Sequence, residues 1–470
     1  MREEFEEDGE AAALRIAEGA APGDVIDGNG PGGWLALDAG ARSWLLRDAL
    51  PSRAEIDGTH RNALTESRTA LALCHRDGRI REAALEAAAR FPTLLPLVVV
   101  RCADWVAPVQ ERARQLLRER LDVDAAVALA PLILLLGRRG RGAFAVEVLG
   151  DVLRGASHEQ LGRLRADGDR TVRRFAHRLA VAEGALSAAE LAQAAARDSD
   201  PAVQTLCAEA AVALVPEGTA DEGVLGPLLA ARGPRVRSTG VTALRRAGRP
   251  ERAAGFLADR SGAVRACARY VVRQYGTDPL PWYRRRVADA DDPALPAGAV
   301  IGLAECGERA DAGLLAPLLA HPSPGVRAGA VAGLRILDVT DVRRFRELLD
   351  DPAPGVVRAA TVNLLPSAGS LDAGWLMDRL AAGRARHVRV AAFRLLDARG
   401  GLVRLRAAVA LLDDPDVKLR GWAERSVQQW HPTPDVPLGS EEVAALLDRG
   451  RHLFSAWVLT RRKREAGVPG

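Results

Sequence analysis

A chain of 470 residues, 48% of them hydrophobic and 27% charged, has the composition of a folded globular protein and fits neither a disordered polymer nor a membrane protein. The net charge of +4 is small for this length, so composition alone gives no reason to expect the clustered basic surface of a nucleic-acid binder. Lys418 and Lys463 are the only lysines, and nearly all the positive charge is arginine.

The chain opens on MREEFEEDGE, acidic where a secretion signal is basic and then apolar. Residues 1–20 read as an acidic helix and Pro22 to Gly33, rich in Gly, Pro and Asp, as a flexible linker, giving a first segment over 1–33. Trp34 to Leu50, a helical stretch with two tryptophans, begins an N-terminal capping segment over 34–62. No apolar run approaches the ~20 residues that span a bilayer. The five cysteines, Cys74, Cys102, Cys207, Cys267 and Cys306, are odd in number, far apart and without CxxC spacing. Free thiols in a reducing, cytoplasmic compartment are expected.

Over residues 63–430 the sequence repeats. VLGPLLAARGPRVR, ending at Arg237, aligns without gaps on LLAPLLAHPSPGVR, which ends at Arg327, 90 residues later. Steps of ~31 residues from these two segments reach equivalent anchors at Arg81, Gln110, Arg141, Arg173, Gln204, Arg237, Arg265, Pro296, Arg327, Arg358, Arg389 and Lys418. The residue before each is apolar in all but Arg141, which follows Gly140. Each unit reads as two helices. Val264, Cys267, Ala268, Val271 and Val272 stand at i, i+3, i+4, i+7 and i+8, one apolar stripe of a second helix, and Leu314, Leu315, Leu318 and Leu319 form the same pattern in a first helix. Asp200-Pro201, Asp292-Pro293, Ser323-Pro324 and Asp414-Pro415 are expected to start second helices, with Asp or Ser as cap and proline in the first turn. No stretch alternates with period two, so no sheet is expected. At the far end HPTPDVPLGS, from His431 to Ser440, interrupts the pattern, and 431–470 reads as a C-terminal cap with the basic run Arg461 to Arg464.

An apolar first helix, an Asp-Pro turn and a Val-Arg opening of the second helix resemble the HEAT family, including the shorter variant named after phycobilisome lyases. The resemblance covers about three quarters of the chain and implies an all-α, right-handed superhelix of about twelve antiparallel helix pairs, with second helices on the concave side. It also implies that the recurring anchor arginines form a ladder between neighbours.

Residues that break the repeat are candidates for function. The densest group is Arg269, Tyr270, Arg273, Tyr275, Trp282, Tyr283, Arg284, Arg285 and Arg286, which holds all three tyrosines of the chain. Such side chains anchor protein interfaces and also stack on bases and pair with phosphates, while the alternative is aromatics packing a distorted repeat junction. Arg178, Arg245, Arg335 and Arg394, five or eight residues past their anchors, are expected to point outward and make the inner face positive. Deoxyhypusine hydroxylases share the fold but need several His-Glu pairs, and only His158-Glu159 is present. HEAT-like DNA glycosylases need an aspartate and tryptophans on a basic face, for which Asp104-Trp105 and Trp282 are the nearest residues. No metal or cofactor motif appears. The expectation is a non-catalytic scaffold for a protein partner, with nucleic-acid binding, with or without base excision, as the alternative.

Overall fold

The computed structural model describes residues 2–26, 30–57, 64–138, 140–434 and 436–468, and every regular element among them is a helix. The chain forms two units, Met1–Pro216 with Asp221–Val236, and Glu217–Ala220 with Arg237–Gly470. Twelve helix pairs are found in the described residues. Their second helices are α1 (Gly78–Ala88), α2 (Ala107–Arg120), α3 (Ala143–Leu153), α4 (Arg170–Ala182), α5 (Pro201–Leu214) and α6 (Pro234–Arg246), followed by α7 (Gly262–Gln274), α8 (Ala297–Cys306), α9 (Pro324–Ile336), α10 (Pro354–Leu364), α11 (Arg386–Arg399) and α12 (Val417–Gln428). Most first helices are shorter, as in Leu95–Arg101, His158–Arg165 and Ala373–Asp378, with Val123–Gly137 before α3 the long exception. One of them passes at Pro317 from an α-turn into a 3-10 turn, because proline cannot donate the next helical hydrogen bond. No single pair hides its apolar stripe; in the second unit α7 packs on α8, α8 on α9, α9 on α10 and α10 on α11.

The structure fixes the repeat register more finely than the sequence does. The third residue of every second helix is buried, from Ile80 and Val109 through to Val388 and Leu419, and the fourth is the anchor. Eight expected anchors hold this place. Arg141 instead precedes α3, whose fourth residue is Val146; Pro296 precedes α8, where Val300 takes the position; Val357 displaces Arg358 in α10; and Arg420 displaces Lys418 in α12. Aspartates explain two of the slips, those in α8 and α12. Asp200 caps α5 from four residues before the anchor, but Asp414 lies six before Arg420, and α12 is capped by Asp416. Asp292-Pro293 likewise starts no helix, since α8 begins at Ala297.

Position six before the anchor organises the turn. There the side chain of His75, Asp104, Asp167, Asp198, Asp259, His321, Asp351 or Asp414 accepts the backbone N–H two residues on. Its own carbonyl accepts from the anchor of the same helix: Arg81 reaches His75 O at 2.8 Å, Gln204 Asp198 O at 2.7 Å, Arg265 Asp259 O at 2.7 Å and Arg420 Asp414 O at 3.0 Å. Its carboxylate accepts from the anchor of the preceding pair. Asp104 takes Arg81 at 2.8 and 2.9 Å, Asp198 takes Arg173 at 3.1 Å, Asp259 takes Arg237 at 2.9 and 3.0 Å, Asp351 takes Arg327 at 2.8 and 2.9 Å, and Asp414 takes Arg389. One guanidinium thus ties two consecutive turns, as a fork of donors does best. Where the next pair has Ala294 in this place, Arg265 turns to Glu305 of α8 instead.

The ends differ from the expected caps. The acidic helix Arg2–Ala17 is no tethered appendage: it packs along Pro31–Gly40 with Ala13 and Ile16 fully buried, and the expected linker is itself helical over Pro22–Val25 and from Pro31 onward. The approach requires glycine on both sides, because a Cβ on Gly9 would lie 2.0 Å from the Ala36 carbonyl oxygen and one on Gly40 2.1 Å from the Gly9 carbonyl carbon. At the C-terminal end Glu441–Arg449 buries Val443, Leu446 and Leu447, while the basic helix Ala456–Glu465 buries none of its residues and leaves Trp457 exposed.

Two outcomes follow from register and rungs. Leu419→Ala removes a fully buried side chain and is expected to cost ~2–5 kcal/mol in denaturant melts, whereas Val417→Ala, 68% exposed, changes stability by less than ~0.5 kcal/mol. The reverse order would restore the sequence register. Burial alone raises Asp104, Asp259 and Asp351, but hydrogen bonds from Arg81, Arg237 and Arg327 with their charges outweigh it and hold all three below the ordinary carboxylate value. Arg174 holds Asp200 at about 2. Depressed folded values mean the unfolded chain binds these protons first, so the stabilisation is complete above about pH 4 and drains as pH falls through the folded values. Melting temperature is therefore expected to drop steeply below about pH 4, and less steeply in Arg327→Gln; identical acid profiles for the two proteins would show that the rungs carry none of this dependence.

Candidate binding surface of the second helices

With the anchor and its neighbours committed to packing and rungs, the second helices turn positions one, five and eight past the anchor toward solvent, as i, i+4, i+7 spacing dictates. In α7 these include the exposed Tyr270 and Arg273, between buried Arg269 and buried Val271 and Val272. Arg178 in α4, Arg245 in α6, Arg335 in α9 and Arg394 in α11 are exposed on the same stripe, as expected. The stripe is not uniformly basic, because five past the anchor α8 carries Glu305, half-buried against Arg265 and Arg269, and the turn after α8 carries the exposed Glu308.

The nine-residue group around α7 does not form one surface. Arg269 is buried and donates to Glu305 at 2.6 Å. Tyr283 is fully buried, its hydroxyl donating to Leu257 O at 2.7 Å, and Trp282 meets its ring edge-on at 5.0 Å. Arg284 pairs with Asp311 at 2.7 Å and Glu308 at 3.3 Å, and Arg286 pairs with Asp292. These five residues pack and tie helix Leu280–Val287. Tyr270 and Tyr275, 45% and 46% exposed, remain outside with Arg273 and Arg285, although the Tyr275 hydroxyl donates to Arg245 O at 2.8 Å. The Tyr283 ring occupies space left by Gly302, where a Cβ would lie 2.3 Å from a ring carbon.

A groove absent from the sequence reading crosses α10, α11 and α12. It encloses about 800 Å³, and its arginines are Arg358, Arg386, Arg394, Arg404 and Arg425. Two of them are neutralised: Arg386 pairs with Asp416, and Arg404 donates to Asp397 and to Ser426 Oγ, each at 3.0 Å. Arg358, Arg394 and Arg425 are exposed and have no carboxylate partner among the described residues. Val357, Leu365, Val390 and Phe393 supply apolar wall, with Trp422. Of these only Arg394 was singled out from sequence. Arg358 was taken for an anchor, and Arg425 stands five residues past the true anchor Arg420, a position that counting from Lys418 misses.

The catalytic candidates are otherwise engaged. Asp104 is fully buried and accepts from Arg81, from Arg101 at 3.0 Å and from Val106 N–H at 3.0 Å, leaving its carboxylate no open side. Trp105 lies between the guanidinium groups of Arg42 and Arg81, 4.8 and 4.5 Å from its ring centre. The Cys207 thiol is 3.5 Å from His177 Nδ1, but burial pushes the thiol up to about 12 and the imidazole down, so both are neutral near pH 7. Cys74 and Cys102 are also buried free thiols, while Cys267 and Cys306 are half-buried. Among the described residues no three His, Cys, Asp or Glu side chains gather as a metal would need, and no helix is long and apolar enough to cross a membrane.

Gly302→Ala is expected to destabilise by ~1–3 kcal/mol through overpacking, and by clearly less in a Tyr283→Leu background that vacates the space. Additive penalties in the double-mutant cycle would mean the two residues do not share that space.

No family model and no curated relative matches this chain. Among solved structures it is similar to Kap121p, with 14% identity and a TM-score of 0.26 over 89% of this chain and 50% of the other. Kap121p bound to Pho4p gives 12% identity and a TM-score of 0.26 over 88% and 51%. Importin beta gives 14% identity and a TM-score of 0.28 over 96% and 62%, so the chain spans about half to three fifths of the length of these structures.

Proposed function

We propose that the chain is a non-catalytic scaffold of HEAT-like helix pairs that holds a protein partner on the solvent face of its second helices. The observation that carries this reading is the division of labour within those helices. One set of positions is consumed by core and rungs, whereas Tyr270, Arg273, Arg335, Arg394 and Arg425 project from rigid helices and are exposed. Tyrosine and arginine are among the side chains that most often dominate interface energetics, and a preformed helical face offers them without a backbone ordering cost. The engaged state of Asp104 and the burial of Cys207 with His177 support binding over chemistry at those places.

The test is affinity capture with the full chain, identification of the co-purifying protein, and measurement of its Kd against variants. Tyr270→Ala/Arg273→Ala is expected to weaken the complex at least tenfold with an unchanged melting temperature, and Glu159→Ala, on an exposed first-helix position, to leave it unaltered. A partner that ignores the first variant and is lost with the second would move the interface to the other face.

A further inference from the structure

We infer that the groove across α10, α11 and α12 is a docking site for an acidic peptide segment, held by Arg358, Arg394 and Arg425. The inference rests on the scaffold reading and specifies the chemistry of one part of its partner. Each of the three arginines comes from a different second helix and lines the same 800 Å³ space. Two other arginines there already have carboxylates, Asp416 and Asp397, so the local supply of acid is spent and three cations remain without one. Like charges gathered in a recess with apolar walls raise the local potential and concentrate anions.

The groove also favours a peptide over other anions. Guanidinium groups match carboxylates in two-point hydrogen bonds, and three of them spread over three helices suit several acidic side chains along an extended backbone better than one compact ion. Leu365 and Val390, both half-exposed, give aliphatic wall for an interspersed leucine or valine. A channel for single-stranded nucleic acid would present a succession of aromatic faces, whereas here Phe393 is buried, and the partly exposed rings are Trp422 and His387, the latter held by Nε2 to the Asp351 carbonyl at 3.2 Å.

The probe is a fluorescein-labelled peptide, Glu-Glu-Leu-Glu-Glu-Leu, titrated with the full chain in anisotropy at low and moderate salt. The wild type is expected to bind, Arg394→Glu/Arg425→Glu to weaken binding at least tenfold, and Arg343→Glu, an exposed arginine of the first helix Val342–Glu347 outside the groove, to stay within twofold. Circular dichroism melts of the variants check that the fold is kept, and Arg394→Gln/Arg425→Gln provides a milder pair if charge reversal unfolds the unit. The inference is overturned if the peptide does not bind, if Arg343→Glu weakens it as much as the groove variant, or if an oligothymidylate of equal charge binds more tightly through the same arginines. Persistence of the captured partner in Arg394→Glu/Arg425→Glu, alongside such a failure, would leave the scaffold reading intact, whereas a partner insensitive to both the groove and the Tyr270/Arg273 variants would remove that reading too.

Discussion

The fold depends on a guanidinium that serves two turns at once. An anchor such as Arg327 donates backward to a carbonyl six residues upstream, at 2.8 Å, and forward to both oxygens of Asp351 of the next pair, while Asp351 Oδ1 accepts the Ala353 N–H as well. Each partner in this arrangement is buried or nearly so, and a charge taken from water needs all of these hydrogen bonds to offset its desolvation. The rung therefore specifies geometry at least as much as it stabilises. It fixes the rise and rotation from one pair to the next within a unit, which apolar stripes of Ala, Val and Leu, interchangeable in shape, would define loosely.

That commitment leaves few positions for anything else. Core residues occupy two faces of each second helix and the rung occupies its first turn, so recognition is confined to a stripe, and charge on that stripe is meaningful where it finds no internal partner. The criterion separates Arg284, Arg286 and Arg269, which are structural ties, from Arg358, Arg394 and Arg425, which are not. Density of aromatic and basic residues in sequence gathers packing and surface side chains alike: Tyr283 fills the space beside Gly302 with Trp282 edge-on against it, the packing role weighed as the alternative, and only tertiary contact separates it from the exposed Tyr270.

The helix pairs were legible because one physical signal, an apolar residue followed by a polar anchor, recurs at most pairs, and eight of the anchors lie where their spacing put them. The register slipped where aspartate plays two parts. Asp200 at the cap position and Asp414 at the rung position both precede proline, and nothing local distinguishes them; only the forward bond to Arg389 assigns the second. This slip of two residues hid Arg425, and the reading of Arg358 as an anchor hid it as a surface residue. The groove itself was illegible for a different reason: it is assembled from residues about 30 positions apart, whose common orientation depends on how three pairs stack.

Not every joint is ionic. Between α2 and α3 the anchor is Gln110 and the following turn offers Gly140, and the seam is closed instead by apolar contact and by Arg114 and Arg118, whose guanidinium carbons lie 4.8 and 4.5 Å from the Phe144 ring centre. Neither arginine nor phenylalanine changes its protonation in acid, whereas every carboxylate rung does. The joints are accordingly of two chemical kinds, carboxylate rungs that proton uptake weakens and an arginine–phenylalanine seam whose charges it leaves as they are.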